Sequence, residues 1–247
     1  MVDLPRDLKG RAFTGTDLSG ARFVEADMSG VVMRGVFLDG ADIDGEIRSL
    51  TVNGVEVAPL VEAELCRREP RRQLASATDP DGLRAAWVGL EEVWSDAYAR
   101  VDAMPAGTVE ESVDGEWSFA QTLRHLVFAT DAWLGHSILQ LEQPFHPWGL
   151  SYAGYGSRVT ELGVDPDAAP TYAQVREVRA ERVALVRDFL ADLTSEGLAA
   201  TVGTPPWERA TQFPVLRCLH VILNEEWEHH RFAVRDLDLI DRRAVEH

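Results

Sequence analysis

The chain has 247 residues, of which 45% are hydrophobic, and a formal net charge of −17 at pH 7. This length and apolar content allow one large or two modest domains with a buried core. The acidic balance argues against sequence-independent nucleic-acid binding and against docking on anionic lipid. No apolar run reaches the length of a membrane span and the N-terminus lacks a leader pattern, so we expect a cytoplasmic protein with no membrane or nucleic-acid partner.

The N-terminal segment carries a large apolar side chain at every fifth position. These positions are Leu8, Phe13, Leu18, Phe23, Met28, Met33, Leu38 and Ile43. A period of five fits neither an α-helix nor a β-strand, whereas self-similarity at a fixed period indicates a stacked repeat. Ala26–Gly30 and Ala41–Gly45 fit the pattern A-(D/N)-L-x-x, and on these residues the segment resembles the pentapeptide-repeat family.

That resemblance implies a right-handed β-helix with four repeats in each coil and the large side chains stacked inside. The repeats of this chain would supply about two coils, and repeat arrays bury their core only by stacking neighbours. We therefore expect this short β-helix to lean on another part of the chain.

The segment between the repeats and residue 80 contains a hairpin signal and a short helical pattern. Asn53-Gly54 lies between alternating apolar residues, which predicts a β-hairpin. The pattern at 59–68 predicts a short helix, and the polar stretch 71–79 predicts a linker. The predicted domains are a repeat β-helix with its hairpin at 1–57, a short helix and linker at 58–79, and a helical domain at 80–247.

The rest of the chain shows helical periodicity and helix-capping signals. Asp79-Pro80 combines an N-cap with a first-turn proline, and Ser118–Gln121 and Thr171–Gln174 are capping boxes. The predicted helices cover residues 80–103, 119–141, 172–193 and 214–239. The predicted fold class is therefore α+β multidomain: a short pentapeptide-repeat right-handed β-helix followed by an up-down four-helix bundle.

A candidate metal site lies on the apolar faces of the second and fourth of these helices. Glu226 and His230 are four residues apart, and side chains at this spacing are neighbours on one helix face. Buried ionisable groups are unfavourable unless they are paired or bind a metal. Since imidazole and carboxylate suit Zn²⁺ and imidazole also suits Ni²⁺, we predict a divalent-metal site of His125, Glu226 and His230.

Other interpretations of the same residues stay open at this point. A hydrogen-bonded core histidine and a buried ion pair would explain them without a metal. If the fourth helix is rotated by one residue, the inward pair becomes Glu225 and His229. The solvent-facing side of the helical wheel is expected to carry Asn224, Glu228, Arg231 and Arg235.

The second half of the chain, over roughly residues 80–240, resembles the DinB-like superfamily of four-helix bundles. The residues that carry the resemblance are Trp117, Ser118, Gln121, Leu123, His125, Leu126, Glu226, His229, His230 and Arg231. The resemblance implies a divalent metal between helices two and four, held by three histidines. His125 and His230 match two of these positions, whereas Glu226 stands where the family has a histidine.

Relatives that look like this domain include thiol-dependent S-transferases and a mycothiol-dependent isomerase. The resemblance implies a metal-dependent enzyme with a small-molecule substrate, zinc or nickel, and a low-molecular-weight thiol as cosubstrate. A metal-activated water would make the same site hydrolytic. A non-catalytic metal-binding or scaffold protein is the alternative, and a homodimer paired through a helix face is a further expectation.

The connection 141–170 is long and contains many aromatic residues and glycines. Connections of this length are usually functional or disordered, and the aromatic content argues against disorder. The segment is interpreted either as an apolar flap over the metal or as a packed crossover at the end of the bundle.

Overall fold

The computed structural model describes residues 8–24, 26–208 and 212–245, without the side chains of 153–157 and 245. These residues are mostly helical, with two small antiparallel strand pairs. Contacts divide the chain into two compact units, Met1–Val36 and Phe37–His247. No helix in the described part of the chain is long and apolar enough to cross a membrane.

The first unit is built from β-turns that recur every ten residues. The Arg11 backbone N–H donates to the Leu8 carbonyl at 3.0 Å, and the same bond joins Ala21 to Leu18 at 2.9 Å. Gly20, at the third position of the second turn, has φ of +72°. A left-handed conformation at this position defines a type II turn and favours glycine. The period seen in the sequence is therefore carried by turns, and no strand occurs in the described residues from 8 to 45.

The large apolar side chains of this unit are exposed rather than enclosed. Phe13 and Phe23 retain 57% and 58% of their accessible surface, and Leu18 retains 48%. This differs from the expectation that they stack inside a β-helix. The physical reason is the small number of repeats, because an array of about two coils gives each side chain at most one neighbouring coil.

The predicted hairpin opens the part of the second unit that precedes the helices. Strand β1 (Thr51–Val52) pairs antiparallel with β2 (Val55–Glu56), so that Thr51 lies opposite Glu56. Asn53 and Gly54 both have positive φ, +50° and +82°, as a type I′ hairpin turn requires. The Asn-Gly prediction is confirmed.

The helices and the second strand pair follow the hairpin along the chain. They are α1 (Ala58–Arg68), 3₁₀ turns at Pro70–Ser76, α2 (Pro80–Asp102), a 3₁₀ turn at Thr108–Glu110, α3 (Phe119–Thr130), a π-helical continuation at Asp131–Ile138, 3₁₀ turns at Ala153–Leu162, α4 (Tyr172–Asp192), α5 (Ser195–Ala199), β3 (Thr201–Val202) paired with β4 (Phe213–Pro214), and α6 (Val215–Val245). The Asp79 side chain caps α2, and capping boxes open α3 and α4, as predicted.

The core lies among the long helices. Helices α2 and α3 each pack against both α4 and α6. One apolar cluster includes Trp87, Leu90 and Ile222, and the next along the helices includes Trp94 and Leu237. A third cluster consists of Phe128, Ala132, Phe145, Val159 and Val164, which packs the connection 141–170 onto α3. This packing supports the crossover interpretation of the connection.

Another segment of the chain covers part of the side of α6 that the helical wheel predicts to face solvent. Glu228 is only 8% exposed and accepts a hydrogen bond from Arg72 Nη2 at 2.5 Å. About one and two turns further along α6, Arg231 and Arg235 both donate to Asp44. The prediction of a solvent-facing Glu228 is wrong because the segment before α2, interpreted from its polarity as a linker, packs over this side of α6.

Candidate metal centre

Two helices bring three potential ligands together. His125 lies in the second turn of α3, which is fixed at its start by the Ser118–Gln121 capping box. Glu225 and His229 lie on α6 at the i, i+4 spacing that places two side chains on one face. One potential ligand atom from each of these three residues lies within 4.8 Å of the others.

The contacts within this cluster are short. Nε2 of His125 lies 3.3 Å from Oε2 of Glu225, and Nδ1 of His229 lies 3.4 Å from the same oxygen. The centroids of the two imidazole rings are 4.6 Å apart. Glu225 therefore stands between two imidazoles that come from different helices.

Backbone carbonyls orient both imidazoles. Nδ1–H of His125 donates to the Leu150 carbonyl at 2.9 Å, and Nδ1–H of His229 donates to the Glu225 carbonyl at 2.8 Å. A carbonyl can only accept, so each ring carries a proton on Nδ1, and a neutral ring then presents its lone pair on Nε2. Metal-binding histidines are commonly held in this way by a carbonyl on the other nitrogen. Leu150 belongs to the connection 141–170, which therefore contacts this site.

The local electrostatics favour a neutral His229 and an ionised Glu225. Burial, aided by repulsion from His125, lowers the pKa of His229 to about 4. Burial alone would raise the pKa of Glu225, but the hydrogen bond that Nε2 of His125 donates when it carries a proton, together with the charges of His125 and His229 when these rings are protonated, outweighs burial, so the pKa of Glu225 is lowered. A bound divalent ion would take the place of the proton on Nε2 of His125. A neutral imidazole and a carboxylate are the forms in which these side chains bind metals.

Aromatic rings border the cluster. The Trp117 ring lies 4.6 Å from that of His125, and the Phe232 ring meets that of His229 edge-on at 5.7 Å. The cluster itself is not sealed, because the Glu225 side chain keeps 27% of its surface exposed and the His229 side chain 14%. The site is therefore bordered by aromatic rings and partly exposed to solvent.

The comparisons with known proteins agree with this geometry. Residues 89–233 match the DinB superfamily, a span that includes all three clustered side chains. The chain belongs to the DinB superfamily. Residues 12–45 match eight copies of the pentapeptide repeat, so a repeat segment precedes the DinB domain. No curated protein and no solved structure matches the chain significantly.

The residues of the DinB domain fit a divalent ion. Two neutral imidazoles and a carboxylate are a known three-ligand set for zinc that leaves a fourth position open. At metal–ligand distances of about 2.0–2.2 Å, tetrahedral geometry places ligand atoms about 3–4 Å apart, as with His125 and Glu225. Superfamily membership and this cluster together support a metal-binding protein.

The structure brings His125 to this centre but not the other two residues predicted with it. Glu226 is buried, as its place on the apolar stripe of α6 predicts. However, its carboxylate accepts hydrogen bonds from Nη2 of Arg179 on α4, with both oxygens at 2.5 Å. Both side chains of this pair are almost completely enclosed. Glu226 is therefore paired within the core, on another face of α6 from Glu225.

His230 also has a structural partner away from the centre. Its Nε2 bonds the Val93 carbonyl on α2 at 3.1 Å, and its ring meets that of Trp94 edge-on at 5.2 Å. Glu225 and His229, the pair expected for a helix rotated by one residue, occupy the positions beside His125. The helix is not rotated, because Glu226 and His230 still face the core, where each has a partner, and the adjoining face of α6 brings Glu225 and His229 to His125.

A signal in α4 could have identified the partner of Glu226 from the sequence. Arg179 lies within an apolar stripe that also holds Val175, Val178 and Val186. A buried arginine requires a carboxylate nearby, and Glu226 was already expected on a buried face. If Arg179 and Glu226 had been paired on this basis, Glu226 would not have been predicted as a metal ligand, and Glu225 would have been the better candidate.

Proposed function

We propose that this DinB superfamily protein is a divalent-metal-dependent enzyme whose metal is held by His125, Glu225 and His229. The observation that carries the proposal is the convergence of these side chains from α3 and α6 within 4.8 Å. Three protein ligands with a fourth position open are typical of catalytic zinc, whereas structural zinc sites are usually closed by four.

We propose thiol transfer as the chemistry, with a low-molecular-weight thiol as cosubstrate and a small molecule as acceptor. A bound divalent ion would lower the pKa of a thiol or water at its open position and so supply a nucleophile near neutral pH. The Leu150 carbonyl keeps the proton of His125 on Nδ1, and Glu225 contributes negative charge. The apolar rings of Trp117 and Phe232 exclude water from the sides of the site.

The choice of a thiol over water rests on the resemblance to thiol-dependent S-transferases. Hydrolysis is the second enzymatic option because the same open site can activate water. The finer architecture is also part of this proposal: α2, α3, α4 and α6 as an up-down four-helix bundle, and the repeats as a right-handed β-helix. A homodimer and a cytoplasmic location remain predictions.

Elemental analysis of the purified, tag-free chain tests the metal centre. We expect close to one equivalent of zinc or nickel in the wild type and its loss in His125→Ala, Glu225→Ala and His229→Ala. Glu226→Gln and His230→Gln are the matched controls, one residue further along α6, and they should keep the metal if they fold. Loss of metal in the controls alone would restore the ligand set predicted from the sequence.

Activity of the loaded protein tests the chemistry separately. Wild type and His229→Ala are compared with several low-molecular-weight thiols and an electrophilic acceptor, and thiol consumption is measured. We expect consumption only in the metal-loaded wild type. Full metal loading without reaction on any thiol or hydrolysable ester would favour a non-catalytic metal-binding protein.

A further inference from the structure

A single indole lies against both imidazoles of the centre. The ring centroid of Trp117 is 4.6 Å from that of His125, with 34° between the planes. It is 6.0 Å from that of His229, with 19° between the planes, which is a stacked arrangement. The indole therefore touches the two histidines that come from different helices.

Trp117 is itself held in place by the start of α3. The next residue, Ser118, is the N-cap, and its backbone N–H donates to Oε1 of Gln121 at 2.9 Å. The backbone N–H of Gln121 donates in return to the Ser118 hydroxyl at 3.3 Å. These two reciprocal hydrogen bonds fix the chain at residue 118. The backbone of Trp117, which directly precedes the N-cap of α3, therefore has a defined position relative to His125 within α3.

The hydrogen bonds of the two histidines do not fully determine the orientation of their imidazole rings. Rotation of an imidazole about its last side-chain torsion is only weakly restricted by intrinsic preference. One bond from Nδ1 to a carbonyl fixes a direction, and a ring packed against the imidazole face limits the remaining tilt. Trp117 supplies that face for His125 and for His229 together.

We infer that Trp117 is a positioning residue that holds both imidazoles in their metal-binding orientation. This inference rests on the proposed metal centre, since the orientation matters only if the rings bind a metal. Groups that orient metal ligands typically contribute about tenfold to hundredfold in metal affinity. Trp117 acts through His125 and His229 and is not itself a ligand.

Titration of the full chain with Co²⁺ tests this role. Wild type, Trp117→Ala, Trp117→Phe and Trp148→Phe are compared for affinity and for the visible absorption of bound Co²⁺, which reports ligand geometry. Trp148 is the matched control, because it is also half-buried and packs edge-on against a histidine outside the centre, His146, at 5.0 Å.

We expect Trp117→Ala to weaken Co²⁺ binding by at least about tenfold and to alter the spectrum. Trp117→Phe, which keeps a ring, should restore both, and Trp148→Phe should match wild type.

Fluorescence supplies a second readout that does not depend on the alanine variant. Co²⁺ quenches a nearby indole, and the chain has seven tryptophans. We expect the quenching on Co²⁺ binding to be largely lost in Trp117→Phe and retained in Trp148→Phe. If Trp117→Ala does not fold, as judged by circular dichroism, the quenching measured in Trp117→Phe and Trp148→Phe tests the inference in its place.

The possible failures are distinguishable. If wild type binds no Co²⁺, the proposed metal centre fails and the inference fails with it. If wild type binds Co²⁺ but Trp117→Ala has the same affinity and spectrum, only the role of Trp117 is overturned. Equal quenching in wild type and Trp117→Phe would also overturn it, because the indole would then not lie beside the metal.

Discussion

Helix α6 carries two acid–histidine pairs of identical composition, one residue apart, with opposite surroundings. Glu225 and His229 meet His125 and remain partly exposed. Glu226 and His230 face the core, where the partner of Glu226 is Arg179 and that of His230 is a backbone carbonyl. The comparison teaches that burial alone does not identify a metal ligand. The deciding property is whether the buried group already has a partner.

The largest expected effect is on stability, when the core pair is broken. Glu226→Ala leaves the Arg179 charge buried without its carboxylate, which should lower the free energy of unfolding by about 3–5 kcal/mol. Urea denaturation measures the change. The double variant Arg179→Met with Glu226→Leu removes both charges and should recover most of the loss. A Glu226→Ala protein that keeps its stability but loses its metal would reverse the roles assigned to the two pairs.

A second core ion pair, on the π-helical continuation of α3, should give a pH signature. Asp131 accepts from Arg182 Nε and from the His146 N–H, both at 2.8 Å. Burial nevertheless raises the pKa of Asp131 to about 6, because it outweighs the bond and charge of Arg182. Because the pKa of Asp131 is higher in the folded than in the unfolded chain, the protonated carboxyl favours folding. This contribution of Asp131 to stability is fully present below pH 3.8 and is lost as the pH rises through about 6.

The variant Asp131→Asn isolates this contribution. Between pH 4 and pH 7 the stability of wild type relative to Asp131→Asn should fall by up to about 3 kcal/mol. Denaturation curves at several pH values measure the difference, and other titrating groups cancel in it. Parallel pH profiles for the two proteins would contradict the raised pKa.

Metal binding should stabilise the fold only when the partly exposed pair of α6, Glu225 and His229, is intact. At about 100 times its dissociation constant, Zn²⁺ should raise the free energy of unfolding by about 2.7 kcal/mol. Thermal denaturation with and without a chelator measures this increment in each protein. It should vanish in His229→Ala and persist in His230→Gln. An increment that survives in His229→Ala would indicate a metal site elsewhere.

The smallest effect is expected where the covered side of α6 meets the end of the repeats. Asp44 accepts from Arg231 and Arg235, and all three side chains are partly exposed. Such pairs contribute little, so Asp44→Asn should cost no more than about 1 kcal/mol in urea denaturation. Asp42→Asn, an exposed position in the same repeat, is the control and should have no effect. A larger loss at Asp44 would show that this contact is structurally important.

Local signals predicted most elements of the fold. The capping boxes at 118 and 171 fixed the starts of two helices, and Asn53-Gly54 fixed the hairpin turn. These signals involve atoms only a few residues apart, so they can be recognised without knowing any tertiary contact. The widening of α3 into a π-helix was not predicted, because the Leu139 N–H bond to the Leu134 carbonyl depends on how that segment packs.

The sequence by itself determined the five-residue period, the long helices, the burial of Glu226 and the choice of His125 as a ligand candidate. Tertiary structure decided which acid–histidine pair of α6 faces His125 and that Glu228 is covered. The physical reason is distance along the chain: Arg179 and Glu226 are 47 residues apart, and Arg72 and Glu228 are 156 residues apart. A helical wheel records the spacing within one helix, whereas the partner that satisfies a buried charge comes from another.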